Sequence, residues 1–159
     1  MKAEYINPFV TSTVNVFSTM LDCALERDPL CTKASFAPLH EVSGIIGLSG
    51  KAAGTVVLSL CREVALQATA ALLLGERPTE IDADVIDAVG ELANMIAGNA
   101  KIHLEELSMS VSLPSVICGK NHSLTFPSQA TPIIIPFRSP WGPLSIEVGL
   151  VEVLESCSG

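Results

Sequence analysis

The chain has few aromatic residues: one Trp, one Tyr and five Phe make up 4% of its 159 residues. A core of this length cannot rest on stacked rings. With 48% hydrophobic residues it must be filled by Val, Ile, Leu and Ala, the usual filling of an α/β protein. Cations are scarce as well. Nine Lys and Arg face 17 Asp and Glu, for a net charge of −8, and the nine are never clustered. That argues against a nucleic-acid partner, because phosphate binding needs grouped Lys and Arg. No run of about 18 apolar residues is available to span a bilayer. The opening residues carry no signal-peptide h-region. A cytoplasmic protein with no membrane insertion is expected. Cys23, Cys31, Cys61, Cys118 and Cys157 show no CxxC spacing, and five cannot all pair within one chain. Reduced, mostly buried thiols are the simpler account.

Several chemistries are missing too. His40, His103 and His122 stand far apart, and none falls in a metal-ligand pattern, so no metal site is expected. There is no nucleophile elbow. The stretch from Gly44 to Lys51 resembles a phosphate loop only briefly. Its spacing is one residue too long, and Ala52 stands where Ser or Thr should hold magnesium. Strands flank it on both sides, so no helix N-terminus is available for phosphate. Trp141, in a Pro-Trp-Gly turn, reads as a packing anchor. His103 is expected on the core side of its helix.

What is present reads as helices grouped against hairpins. Residues 5–26 form a helix with Asn7-Pro8 at its start. Thr32 to Phe36 suits a strand, and 42–49 with 55–60 suit a hairpin around Gly50 to Gly54. Residues 62–75 return to helix, closed by Gly75, and Arg77-Pro78 is the break. A long helix covers 82–107. Ser112 to Cys118 reads as a strand, 124–126 as a short piece, 131–137 as a strand displaced toward an edge by Pro132 and Pro136, and 144–153 as a final strand. The order α, β-hairpin, α, α, then several β predicts an α/β fold, a mixed helix-and-sheet sandwich and not a Rossmann-type parallel sheet. One domain over 1–155 is expected, with 156–159 as a frayed tail.

The long helix carries the most informative pattern. At about 100° per residue, Asp87, Glu91, Asn94, Gly98 and Lys101 share one face. Val85, Val89, Leu92 and Ile96 line the opposite face. The flanks are small: Ala88, Gly90, Ala93, Ala97 and Ala100. Small flanks suit a helix that another protein's surface touches closely, with Glu91 and Asn94 at its centre. Asp82 and Asp84 read as compensation of the helix dipole; Asp87 and Glu91 lie further along.

On these residues the chain resembles the CheX members of the CheC/CheX/FliY chemotaxis phosphatases, which dephosphorylate the response regulator CheY. The family pattern of Asp or Ser, three residues, Glu, two residues, Asn is matched by Asp87, Glu91 and Asn94. Its downstream proline is matched by Pro114, slightly closer than in the usual pattern. Gly98 and Lys101 extend the family-like face. The opening Tyr5-Ile-Asn-Pro-Phe-Val, the Leu48-Ser-Gly hairpin and the strand from Thr55 to Leu60 add to the likeness. CheC proteins carry a second Glu-x-x-Asn on the first helix. Here Ser12 stands where its Glu would be, which implies a single site.

The resemblance implies a protein aspartyl-phosphate phosphatase acting on a phosphorylated CheY-type receiver domain. In it, Asn94 orients the attacking water and Glu91 docks to the receiver's lysine. Asp87, Gly98, Lys101 and Pro114 would contact the partner. The receiver supplies magnesium, so no cofactor is needed. It further implies a homodimer joined through sheet edges, with the proline-containing strand limiting which edge can pair. A second class stays open: a non-catalytic CheX-like module that grips a receiver or a flagellar-switch protein. The scarcity of other polar clusters argues against a third, an unrelated small-molecule hydrolase.

Overall fold

A computed structural model describes residues 2–32, 39–126 and 130–154. Helix α1 (Ala3–Leu21) turns Ile6, Phe9, Val16 and Phe17 inward. Asn7-Pro8 does not mark its start; the helix begins at Ala3 and Pro8 lies inside it. Pro8 has no N–H to donate to the carbonyl of Glu4, so one bond of the second turn is missing. The helix also stops short of residue 26. Asp22 takes a left-handed conformation at φ 50°, and Glu26–Arg27 becomes a short strand, β1. Strand β2 is Cys31–Thr32; most of the strand expected over 32–36 lies outside the described residues.

The hairpin forms as expected. Strands β3 (Val42–Ser49) and β4 (Ala52–Leu60) pair from Val42↔Leu60 to Leu48↔Gly54. The turn is only Gly50-Lys51, with Gly50 at φ 156° against the carbonyls of Leu107 and Ser108. Helix α2 (Arg62–Leu73) is closed by Leu74, not Gly75. Leu74 adopts φ 53°, and both it and Gly75 donate to the carbonyl of Ala70. Helix α3 (Ala83–Ile102) ends five residues before 107; a single 3-10 turn, Glu105–Leu107, follows.

Of the strand expected over 112–118 only β6 (Ser115–Cys118) forms; β5 (Ser110–Val111) precedes it, and both pair β3. Pro114 has no N–H for a ladder, and the chain leaves the sheet around it. Residues 124–126 are not a strand. Strands β7 (Ile133–Ser139) and β8 (Gly142–Glu152) close through the expected turn. The sheet is antiparallel, in the order β1-β7-β8-β4-β3-β5, with β2 beside β7 and β6 beside β3. Pro136 thus sits next to the edge, with β7 covered only by the two-residue strands β1 and β2.

The helices lie on one face of this sheet, giving the expected mixed sandwich. Side chains alternate along each strand. Val42, Ile46, Val56, Leu58, Ile146 and Val148 join the helices in one core. On the far face Ser43, Ser59, Ser145 and Glu147 are also buried. His122 lies over them, its Nε2 2.8 Å from Ser43 Oγ and its Nδ1 2.7 Å from the carbonyl of Gly119. A carbonyl only accepts, so Nδ1 carries the proton.

Of the four described cysteines all are unpaired and only Cys23 is buried, so the thiols are not mostly interior; Cys157 lies outside the described residues. Among the described residues no helix is long and apolar enough to cross a membrane.

Candidate functional site

Helix α3 carries the site, and its ends are fixed by its own sequence. Asp82 caps it, accepting from the N–H of Val85 at 3.0 Å. Lys101 sits in the last turn, where a cation suits the dipole. The connector from α2 is tied down at two points. Arg77 forms a two-pronged pair with Glu63, at 2.6 and 2.9 Å, and Arg62 donates to the carbonyl of Thr79 at 3.0 Å.

One face of α3 is entirely interior: Val85, Val89, Leu92 and Ile96 are fully buried. The opposite face is the expected strip. Asp87, Glu91, Asn94 and Lys101 are exposed and Gly98 is half-buried. Among the described residues, the side chains of Asp87, Glu91 and Asn94 make no hydrogen bond or ion pair. A Cβ at Gly98 would meet nothing within 4 Å, so the gap in the strip is open to solvent and not filled by the fold.

The small flanking residues do a different job from the one expected. Ala88, Gly90, Ala93, Ala97 and Ala100 are buried, and they let this chain's own elements approach α3. A Cβ at Gly44 would stand 3.0 Å from the Cβ of Ala93, and one at Gly90 would stand 3.4 Å from Cγ of Pro114. His103, expected inside, caps the helix C-terminus and is exposed. The helix ends one residue before it, so it never continues the buried stripe.

Pro114 comes from a different element yet reaches the strip. Together with Ile86, Asp87, Gly90, Glu91 and Val116 it lines a groove of about 390 Å³. On the other side, Leu72, Leu73, Asp84, Asp87, Ala88 and Glu91 line a second groove of about 370 Å³. Asp87 and Glu91 are therefore a ridge between two grooves. The structure brings Asp87, Glu91 and Pro114 together directly. Asn94, Gly98 and Lys101 continue the same face toward the helix C-terminus.

Leu72, Leu73, Ile86 and Val116 were not legible as site residues, since each reads as ordinary core. Asp84 had a signal: it precedes Asp87 by three residues and so shares its side of the helix. On α1, Ser12 is buried at 3% exposure, so the position that would hold a second Glu-x-x-Asn points into the fold. Among the described residues no group of three or more His, Cys, Asp and Glu is arranged to hold a metal ion.

Glu91 and Asn94 thus place a carboxylate and a carboxamide about one helical turn apart, both facing solvent. Residues 42–138 match the family model for the chemotaxis phosphatase CheX. The CheY-P phosphatase CheX of Thermotoga maritima is 27% identical over 123 residues, 76% of this chain and 79% of that protein. A CheC-like superfamily protein from Shewanella sp. PV-4 is 34% identical, with a TM-score of 0.87 over 95% of this chain and 99% of its own. The chemotaxis protein CheX from Vibrio vulnificus is also 34% identical, with a TM-score of 0.87 over 94% of this chain and 100% of its own.

Proposed function

This chain belongs to the chemotaxis phosphatase CheX family, and on that premise we propose that it hydrolyses the aspartyl phosphate of a CheY-type receiver domain. The observation that carries the reading is the exposed pair Glu91 and Asn94. They sit on a helix whose back is fully packed, and their side chains have no partner among the described residues. A surface pair left unengaged on a rigid element is preorganised for a partner.

An aspartyl phosphate is a mixed anhydride and already reactive, so the phosphatase has mainly to position water. The Asn94 carboxamide accepts one hydrogen bond from a water and holds its oxygen in line with phosphorus. The water oxygen bonds to phosphorus, the bond from phosphorus to the aspartyl oxygen breaks, and the water's proton is lost to solvent. The products are the receiver's free carboxylate and inorganic phosphate. Asn94 acts by orientation and not as a base, in the manner of the water-orienting glutamine of GTPases. Glu91 pairs with the receiver's lysine and fixes the docking geometry. Asp87, Gly98, Lys101 and Pro114 border the contact, the open space at Gly98 admitting the partner's surface. The receiver brings the magnesium.

We read residues 1–155 as one domain acting in the cytoplasm. The family likeness implies a dimer joined through sheet edges, and among the described residues the edge strands β1, β2, β5 and β6 hold two to four residues each. Release of inorganic phosphate from a phosphorylated, magnesium-loaded receiver tests the reading. Acceleration above the receiver's own decay supports it. Tight binding without acceleration would select the non-catalytic module instead.

A further inference from the structure

The groove between α2 and α3 has two unlike walls. Leu72, Leu73 and Ala88 supply apolar surface, and Asp84, Asp87 and Glu91 supply carboxylates. Asp84, Ala88 and Glu91 fall at i, i+4 and i+7, so they share one side of α3. None of the three carboxylates has an ion-pair partner among the described residues. Arg62 of α2 and Arg77 of the connector are committed elsewhere, Arg77 to Glu63 and Arg62 to the carbonyl of Thr79. Three like charges within two helical turns repel one another. The apolar wall is costly too: Leu73 leaves 56% of its surface exposed to water.

An apolar wall beside unpaired carboxylates fits one side-chain chemistry, an aliphatic stem ending in a cation. The opposite groove shares Asp87 and Glu91 but has Ile86, Pro114 and Val116 in place of a third acid, and so lacks that match. We propose that the α2–α3 groove receives a Lys or Arg side chain of the docked receiver domain, separate from the lysine paired with Glu91. Its stem lies on Leu72 and Leu73 and its charge meets Asp84. The groove shares Asp87 and Glu91 with the catalytic face, so a receiver seated over Asn94 covers it in the same movement. Leu73 and Asp84 are then positioning residues that set affinity and choice of receiver. This inference rests on the phosphatase reading.

The test is a calorimetric titration of the chain with a receiver carrying magnesium and beryllium trifluoride as a mimic of its phosphoryl group, beside steady-state phosphate release from the phosphorylated receiver. Asp84→Asn is expected to weaken binding about threefold and to flatten its salt dependence. Asp84→Glu is expected to restore both. Leu73→Ser is expected to weaken binding about tenfold. The losses appear in Kd and KM and not in the rate at saturation. Both positions are exposed, and thermal melts check that each variant is folded. If both variants bind within about twofold of wild type, the groove proposal is overturned. The phosphatase reading then stands if wild type releases phosphate and Asn94→Ala does not. If wild type binds no phosphorylated receiver, both fall together.

Discussion

Gly44 on β3 and Ala93 on α3 meet across the sheet–helix interface with no spare room. A Cβ on Gly44 would lie 3.0 Å from the Cβ of Ala93 and 3.2 Å from the backbone oxygen of Val89. Ala93 is the neighbour of Asn94 in the chain. The depth at which α3 sits on the sheet, and hence the height of the Glu91–Asn94 face above it, is set by this contact.

Filling that space should therefore be felt at the site. Gly44→Val adds three carbons where the neighbours include backbone, and overpacking of this kind costs about 1–3 kcal/mol. A lower Tm by circular dichroism, with a fall in phosphatase turnover larger than the change in receiver affinity, is the expected result. An unchanged Tm would mean that α3 does not rest on β3 as described.

The start of α3 hangs on one side chain. Asp82 accepts from Val85 N at 3.0 Å, so Asp82→Ala should cost about 1 kcal/mol in stability. Asp82→Asn keeps the acceptor and should recover most of the loss. Denaturant melts of the three proteins check it.

The connector ahead of α3 carries a pH dependence. The Arg77 guanidinium, helped by the Gln67 amide, holds the Glu63 carboxyl down at about 2 against an ordinary 4.5. A carboxyl depressed in the folded state stabilises fully above its unfolded value and progressively less as pH falls through its folded one. The stability advantage of wild type over Glu63→Gln should accordingly be constant above about pH 5 and shrink between about pH 4.5 and 2. The pair is exposed, so the effect is small and should weaken further in high salt. Thermal melts across this pH range, in low and high salt, read it directly.

Much of this arrangement was legible before the structure. The strip from Asp87 to Lys101 needed only the helical period, because a long helix with a continuous apolar row has one way to face the core. The hairpin from Val42 to Leu60 followed from its glycine turn and alternation. What failed were the ends and the far contacts. Pro8 reads as a helix start, yet Tyr5 already bonds back to Lys2 at 3.0 Å. Leu74 closes α2 in a conformation ordinarily left to glycine, although Gly75 stands next to it. The alanines beside Glu91 suggested room for a partner, but small size alone does not say which surface comes close; here it is Gly44 and the other helices. The nearness of Pro114 to Gly90 depends on β6 pairing with β3, a contact between distant parts of the chain that no local pattern encodes.

Docking and chemistry should separate by residue. Glu91→Gln keeps size and removes charge, so its main expected effect is on affinity: KM for the phosphorylated receiver should rise about tenfold or more, with a weaker salt dependence. Stopped-flow phosphate release at several receiver concentrations and two ionic strengths distinguishes this from a loss of turnover. A variant with wild-type KM and salt response would remove Glu91 from the docking contact.

The most direct measurement compares wild type with Asn94→Ala at saturating phosphorylated receiver. The exposed carboxamide makes no side-chain bond within the described residues, so its removal should leave the fold and receiver binding intact. If Asn94 positions the water, turnover should fall about a hundredfold or more while Kd stays close to wild type. Full turnover by Asn94→Ala would contradict the account.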